Sequence, residues 1–375
     1  MELTPRQRRV PGWLLVVAVL VVLGGLARLE QGKNPSTATP APPSSPSRSA
    51  IQFGSTSPPV EPSPSPVRPV VVNLGRQLLG VTAGWELYVR RADEVVRIQL
   101  ALGRVTRTPV PTLASGSAVT FVAVSGGVVV RPWDNVPGYF VRDGEPARPV
   151  DAASGQVFPG PVPDELWAMD ADGRALSSIG LDGGLTGRSI RLPAADQWWP
   201  VAADGAGSVI VRGIGGDYVA RPDGLHRIST GNVVAVGRTG WLAVECDARA
   251  RCATVAIDRR TGARRHLGVA PVGSRSDGLI APDGSFAVVY AFNRSSVAIH
   301  LVDLASGADH RLDVALSPDV PVAGTLAWSP DSRWLFAISG GQVVAIDLRT
   351  RAVRSLEVLV QIGEADQLAV WPGGR

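Results

Sequence analysis

Lysine is almost missing from this chain of 375 residues: Lys33 is the only one, so nearly all of the 37 basic residues are arginines. That bias reads as a GC-rich genome. The folded part holds no Lys/Arg run, and the formal net charge is only +4. Phosphate backbones require clustered positive charge, so nucleic acid is excluded as a partner. Cysteine is scarce as well. Cys246 and Cys252 are the only pair, and without a second pair no structural zinc site is expected. Histidine is limited to His226, His266, His300 and His310. His300 and Asp303 lie three apart, so on a strand they point to opposite sides and cannot chelate together. No G-x-S-x-G, H-E-x-x-H or Walker pattern occurs, which removes the common nucleophile, zinc-protease and nucleotide sites. No cofactor and no metal are expected.

What is present is apolar sequence cut by many turns. Hydrophobic residues make up 45% of the chain and charged residues 19%, with Gly 42 and Pro 31. Val10 to Ala27 is apolar throughout and follows Arg6, Arg8 and Arg9. Its length is near the lower limit for a membrane-crossing helix, and positive residues stay cytoplasmic. Residues 1–9 are therefore expected as a cytoplasmic tail and 10–28 as a signal-anchor helix in the cell membrane, with the C-terminal part outside. A cleaved signal peptide is the alternative, carried by the small residues Gly25 and Ala27. The apolar run is longer than most signal cores, which favours the anchor. No cysteine follows it, so a lipid-anchored form is excluded. Residues 29–69 are dominated by Pro, Ser and Thr, with too few apolar residues to offset the entropy of ordering. They are expected as a disordered stalk whose composition also permits O-glycosylation.

From Val70 to the end a repeat emerges. The last copy reads as four short strands: Gly324–Trp328, Trp334–Ser339, Gln342–Leu348 and Ala352–Val358, cut by Ser329-Pro330-Asp331-Ser332, Gly340-Gly341 and Arg349-Thr350. The turn after the third strand recurs as Ala256-Ile257-Asp258, Val302-Asp303-Leu304 and Ala345-Ile346-Asp347. Comparable turns fall near Pro222-Asp223-Gly224, Thr186-Gly187, Asp143-Gly144 and Leu102-Gly103. The turn after the first strand carries Asp204-Gly205, Thr239-Gly240, Asp283-Gly284 and Asp331-Ser332. A bulky residue then opens the second strand: Trp85, Trp241, Phe286 and Trp334. Four strands repeating every 40 to 45 residues predict a β-propeller over 70–375. The expected fold is all-β with seven blades, six or eight being the alternatives. Charged residues such as Asp309, Arg311, Asp313, Arg354 and Glu357 would blunt the outer edges. Asp366–Trp371 reads as one more first strand, Gln77–Ala83 competes for that place, and Val70–Leu74 is a further strand, so exchange between the termini is expected.

The stretches Ser329-Pro330-Asp331-Ser332-Arg333-Trp334-Leu335 and Ala281-Pro282-Asp283-Gly284-Ser285-Phe286 resemble the WD40-like (PD40) repeat of TolB-type propellers. Ser332 stands where that repeat usually has glycine. The resemblance implies partner binding rather than a particular activity. Trp133-Asp134 is a WD dipeptide without the Gly-His partner and does not add to it.

Cys246 and Cys252 flank a short turn and are expected to form a disulfide in an exported domain. Propeller connectivity places the loops between second and third strands, and those entering each first strand, on one face. Trp133, Tyr139, Trp198, Trp199, Arg249 and Arg251 fall there and form the candidate binding face, since aromatic and arginine groups are common anchors. The competing reading packs Trp198 or Trp199 between blades and leaves Arg249 and Arg251 solvated. The expected function is a monomeric, non-catalytic platform binding a protein or wall polysaccharide at the bacterial envelope. A hydrolase or lyase at the propeller mouth is the alternative.

Overall fold

The structure is a computed structural model. It describes residues 68–373 apart from 113–118, 133–137, 151–155, 171, 195–196, 270–277, 293–296, 316–323 and 357–359. These residues belong to one compact unit, Pro64–Arg375. The expected tail, anchor and stalk up to residue 67 lie outside the described residues. Among the described residues no helix is long and apolar enough to cross a membrane.

The described elements are strands apart from isolated turns. In chain order they are β1 (Val70–Asn73), β2 (Glu86–Arg90), β3 (Glu94–Gln99), β4 (Arg104–Pro109), β5 (Val119–Val124), β6 (Gly127–Pro132), β7 (Gly138–Arg142), β8 (Arg148–Val150), β9 (Val157–Pro159) and β10 (Glu165–Met169). Next come β11 (Ala175–Gly180), β12 (Leu185–Arg191), β13 (Trp199–Ala203), β14 (Val209–Gly213), β15 (Gly216–Arg221), β16 (Gly224–Ser229), β17 (Asn232–Val236), β18 (Gly240–Cys246), β19 (Cys252–Asp258) and β20 (Arg264–Val269). The last are β21 (Gly278–Ile280), β22 (Phe286–Phe292), β23 (Val297–Asp303), β24 (Asp309–Leu312), β25 (Leu326–Trp328), β26 (Trp334–Ser339), β27 (Gln342–Asp347), β28 (Ala352–Ser355) and β29 (Gln367–Trp371).

They form six hydrogen-bonded sheets. Four are antiparallel four-strand runs, β5–β8, β9–β12, β13–β16 and β25–β28. One has eight strands, in which the runs β17–β20 and β21–β24 are joined by a short parallel pairing of β17 with β21, Ala235 opposite Gly278. The remaining sheet has the order β1-β4-β3-β2-β29 and so combines both ends of the unit. The C-terminal β29 is its innermost strand, with Glu86 opposite Trp371, and β1 is added outside β4. Gln77–Ala83, the competing segment, makes no strand. It turns, with Leu78 N donating to Leu100 O at 2.9 Å, and it packs Leu78 and Leu79 into the core.

The turn residues that carry the repeat act through their carboxylates. Asp258 Oδ1 accepts the backbone N–H groups of Arg260 and Thr261, Asp303 Oδ1 those of Ala305 and Ser306, and Asp347 Oδ1 that of Arg349. Each carboxylate supplies the partners that a tight turn would leave unpaired. In β11–β12 the turn lies at Leu181–Gly184, where Asp182 Oδ1 accepts Gly184 N, and the expected Thr186-Gly187 turn is instead part of β12 beside a register shift. Ser332 adopts the left-handed backbone that glycine usually supplies (φ 59°). Its hydroxyl accepts Asp283 N at 2.9 Å, a bond to the neighbouring run that glycine cannot make.

Buried apolar side chains among the described residues fall into seven clusters, each between two neighbouring four-strand runs. Trp85 and Trp334 sit in the cluster joining the first and last runs, and Trp241 in that joining β13–β16 to β17–β20. Hydrogen bonds follow the same circuit. Trp167 Nε1 donates to Gly207 O (2.8 Å), Asp217 Oδ2 accepts Val233 N (2.6 Å), and Arg265 donates to Ala305 O (2.6 Å). Tyr290 and Thr325 hydroxyls pair at 2.7 Å, and Arg107 donates to Gln361 O (2.5 Å) to complete the circle. The fold is an all-β, propeller-like ring of sheets.

Between the first two runs lies a buried charged network. Arg97 Nε donates to Glu86 Oε2 at 2.8 Å, Tyr88 donates to the same oxygen at 2.8 Å, and Arg97 also pairs with Asp143. Burial alone would raise the Asp143 carboxyl; hydrogen bonds from Arg97 and Thr106 outweigh it and hold the group below the usual range. Glu245 is lowered likewise, burial being outweighed by Arg264 and Ser229. A carboxylate depressed on folding adds stability that is complete above its unfolded value and lost as pH falls through its folded value. The melting temperature is therefore expected to be level from neutral pH to about 5 and to fall below about pH 4. Arg97→Gln should weaken that fall, and a melting temperature rising on acidification would contradict the assignment.

Candidate functional site

The innermost strands share one sense. β17 and β21 are parallel, and the starts of β25, β29 and β5 are tied together by Leu368 N to Gly324 O (2.6 Å) and by Gln367 Nε2 to Val119 O (2.7 Å). At the opposite end, a cavity of about 250 Å³ gathers the strand ends Val124, Pro159 and Trp371. Between the two ends the inner strands enclose an axial channel of about 680 Å³.

Valine, leucine and alanine make most of the channel wall, together with Phe121, Phe158, Trp199 and Trp328; its polar side chains are Thr120, Gln156 and Gln367. Among the described residues that line it, none is charged or titratable. Behind Gln367, Arg90 Nε donates to the Gln367 amide oxygen at 2.7 Å and Arg90 Nη1 stands 3.3 Å from Asp366. Burial pushes the Asp366 carboxyl above its usual range and the Arg90 guanidinium below its own, while each charge partly steadies the other. The order of the sheets also leaves the channel-side edges of β5, β9, β13, β25 and β29 without a strand partner.

The residues expected on the binding face separate. Trp199, the first residue of β13, is 53% exposed and lines the channel. Trp198 is a correction: it is 7% exposed, stacks edge-on against Tyr218 at 5.4 Å, and donates to Pro193 O. Its ring fills the space over Gly213, where even a Cβ would collide with it. Tyr139 is half-buried against the cluster of Val119 and Phe121, and burial raises its hydroxyl. Trp133 lies outside the described residues. Arg249 and Arg251 are exposed on the hairpin between β18 and β19, where Arg251 pairs with Asp247 at 2.6 Å. Gln156, Gln367 and Trp328 were not singled out from sequence; only their position in or just before a first strand could have marked them.

Cys246 and Cys252 are directly opposite in the β18–β19 ladder, with Sγ atoms 1.94 Å apart, and form the expected disulfide. So short a loop gains about 2 kcal/mol by the chain-entropy relation. Replacing both cysteines by serine is expected to cost about that much in urea unfolding, and a loss above about 4 kcal/mol would point to a further role.

The histidines lie away from the channel. His226 pairs with Asp223 and His300 with Asp309, both at 2.9 Å, and His310 meets Arg351 at 3.3 Å. No group of three or more His, Cys, Asp or Glu among the described residues could hold a metal ion.

The class these features define is an all-β, propeller-like ring around an axial channel whose described lining residues are uncharged. No family description and no curated protein matches the chain. Among solved structures the chain is similar to a proposed 6-phosphogluconolactonase from Bacteroides fragilis NCTC 9343, at 11% identity and TM-score 0.47, covering 78% of this chain and 99% of that one. It is also similar to AztD from Citrobacter koseri, at 13% identity and TM-score 0.44, covering 78% and 98%. A third is TolB from Acinetobacter baumannii, at 14% identity and TM-score 0.40, covering 78% and 67%.

Proposed function

We propose that the chain is a membrane-tethered, extracytoplasmic binding platform without catalytic activity, acting at the bacterial envelope. The observation that carries this reading is the uncharged channel wall. Acid/base or nucleophilic chemistry needs titratable groups converging on a substrate, and the described wall holds none. The seven inter-run clusters support counting the eight-stranded sheet as two units, which makes a seven-bladed propeller. Residues 10–28 are the proposed anchor and 29–69 the stalk, with the ring outside the membrane as a monomer.

A photo-cross-linker placed in living cells at position 199 or 249 is expected to capture a partner, whereas one at Thr261, on the opposite face, is not. Deleting residues 10–28 should move the protein out of the membrane fraction. Absence of adducts at 199 and 249, combined with cleavage of a wall polymer by the purified chain, would replace the platform by an envelope hydrolase or lyase.

A further inference from the structure

We infer that the outer edge of β1 binds an extended, uncharged segment of a partner protein as an added strand. β1 is the outermost strand of the sheet that combines both ends of the unit, and among the described residues its far side has no strand partner. Such an edge is a template for pairing, and charge is the common guard against it. The strands in the same outermost place, β8, β12, β16, β20, β24 and β28, each carry at least one arginine. β1 reads Val70-Val71-Val72-Asn73 and carries no charge, and its valines are 57%, 44% and 42% exposed. A run of valines gains nothing from solvent there; it gains from a strand laid beside it.

The register decides which groups are offered. Leu74 N donates to Gly103 O at 2.8 Å, and Asn73 lies opposite Arg104. Bonded and open positions alternate along an antiparallel pair. Val70 and Val72 therefore turn to β4, while Val71 and Asn73 point their N–H and C=O groups outward. Pro69 continues the outward series, and proline is tolerated on an edge where its missing N–H would face solvent. Side chains add a second condition. Val72 ends a row that runs through Val105, Ile98 and Leu87 to Val370. Leu87 and Ile98 are fully buried, whereas Val72 is exposed. An incoming strand with a β-branched side chain opposite Val72 extends that row. A second copy of this chain fits less well. Pairing centred on Val72 would set Asn73 against Val71, and pairing centred on Val71 would set Asn73 against Pro69, which has no N–H to give. A partner strand of different sequence has neither mismatch.

This edge is separate from the channel-end face assigned to the platform, and the test keeps the two apart. The full chain in detergent is titrated into a dansyl-labelled, end-capped hexapeptide of alternating threonine and valine, and anisotropy is followed. Saturable binding is expected, and the analogue with proline at alternate positions should not bind. Val71→Pro removes an outward N–H and leaves the bonds to β4 in place; Val72→Lys puts a charge on the edge without altering the backbone. Each should weaken binding about tenfold or more, with the melting temperature unchanged. Absence of binding, equal binding of the proline analogue, or binding that survives both substitutions would overturn the inference. Dimers of the parent chain that separate on Val72→Lys, without peptide binding, would give the edge to a second copy and overturn it too. Cross-links at position 199 or 249 with an inert β1 edge would leave the platform reading standing. Peptide binding at β1 together with cleavage of a wall polymer would remove the platform reading and keep the edge.

Discussion

Asp217→Ala is expected to lower the unfolding free energy by about 3 kcal/mol, near the lower end of what removing one partner of a buried ion pair costs. Asp217 is fully buried. Its two oxygens receive the Arg212 guanidinium at 2.7 and 2.9 Å, and one of them also accepts Val233 N from the next run at 2.6 Å. Removing the carboxylate leaves a backbone N–H at that junction without its partner. Arg212 is about a third exposed and can be rehydrated, which keeps the loss from being larger. Asp217→Asn retains an acceptor and should lose less. Urea unfolding of both variants and of Arg212→Ala checks this. A loss below about 1 kcal/mol for Asp217→Ala would mean that the junction is held by its apolar cluster alone.

Trp334→Ala is expected to cost more, about 4 kcal/mol. Trp334 is completely buried and is among the largest side chains in the interior. It shares a cluster with Trp85 and Phe336 at the junction of the first and last runs. The Arg333 and Arg354 guanidiniums lie over its ring, 4.9 and 5.8 Å from the centroid. Truncation would remove the packing of that junction and the apolar face on which both cations rest. Trp199→Ala, on an indole half in solvent, should stay within about 0.5 kcal/mol of the parent. If the two substitutions cost the same, the division between core and channel tryptophans would be wrong.

Much of this architecture was legible because its punctuation is local. Asp258, Asp303 and Asp347 fold back on the next few amides, so their spacing alone marks the ends of third strands. Strand limits in the last copy, from Trp334–Ser339 to Ala352–Ser355, follow the same residues. At Leu181–Gly184 the turn is also held by an aspartate, Asp182, but the sequence points a few residues too far along, to Thr186-Gly187, which lies in β12 beside a register shift. The binding face was less legible. Trp198 and Trp199 are adjacent and chemically identical, and whichever comes first in β13 points to the channel while its neighbour points to the core. That one-residue register is set by partners such as Tyr218 and Gly213, distant enough in sequence to give no local signal. The channel has no motif of its own. It is a property of strand edges brought together from the whole unit, and the neutrality of its described lining is visible only once the strands are assembled.

The sheet that combines both ends of the unit governs when the protein can be finished. Strands β2 to β4 leave the ribosome before the strand that must lie against β2, which follows every other described strand of the ring. Until then the Val89 and Leu87 backbone stands open along one side. A nascent or truncated chain that stops before Gln367 therefore exposes an adhesive edge for the whole period of its synthesis, and surveillance by chaperones or proteases would recognise it as incomplete.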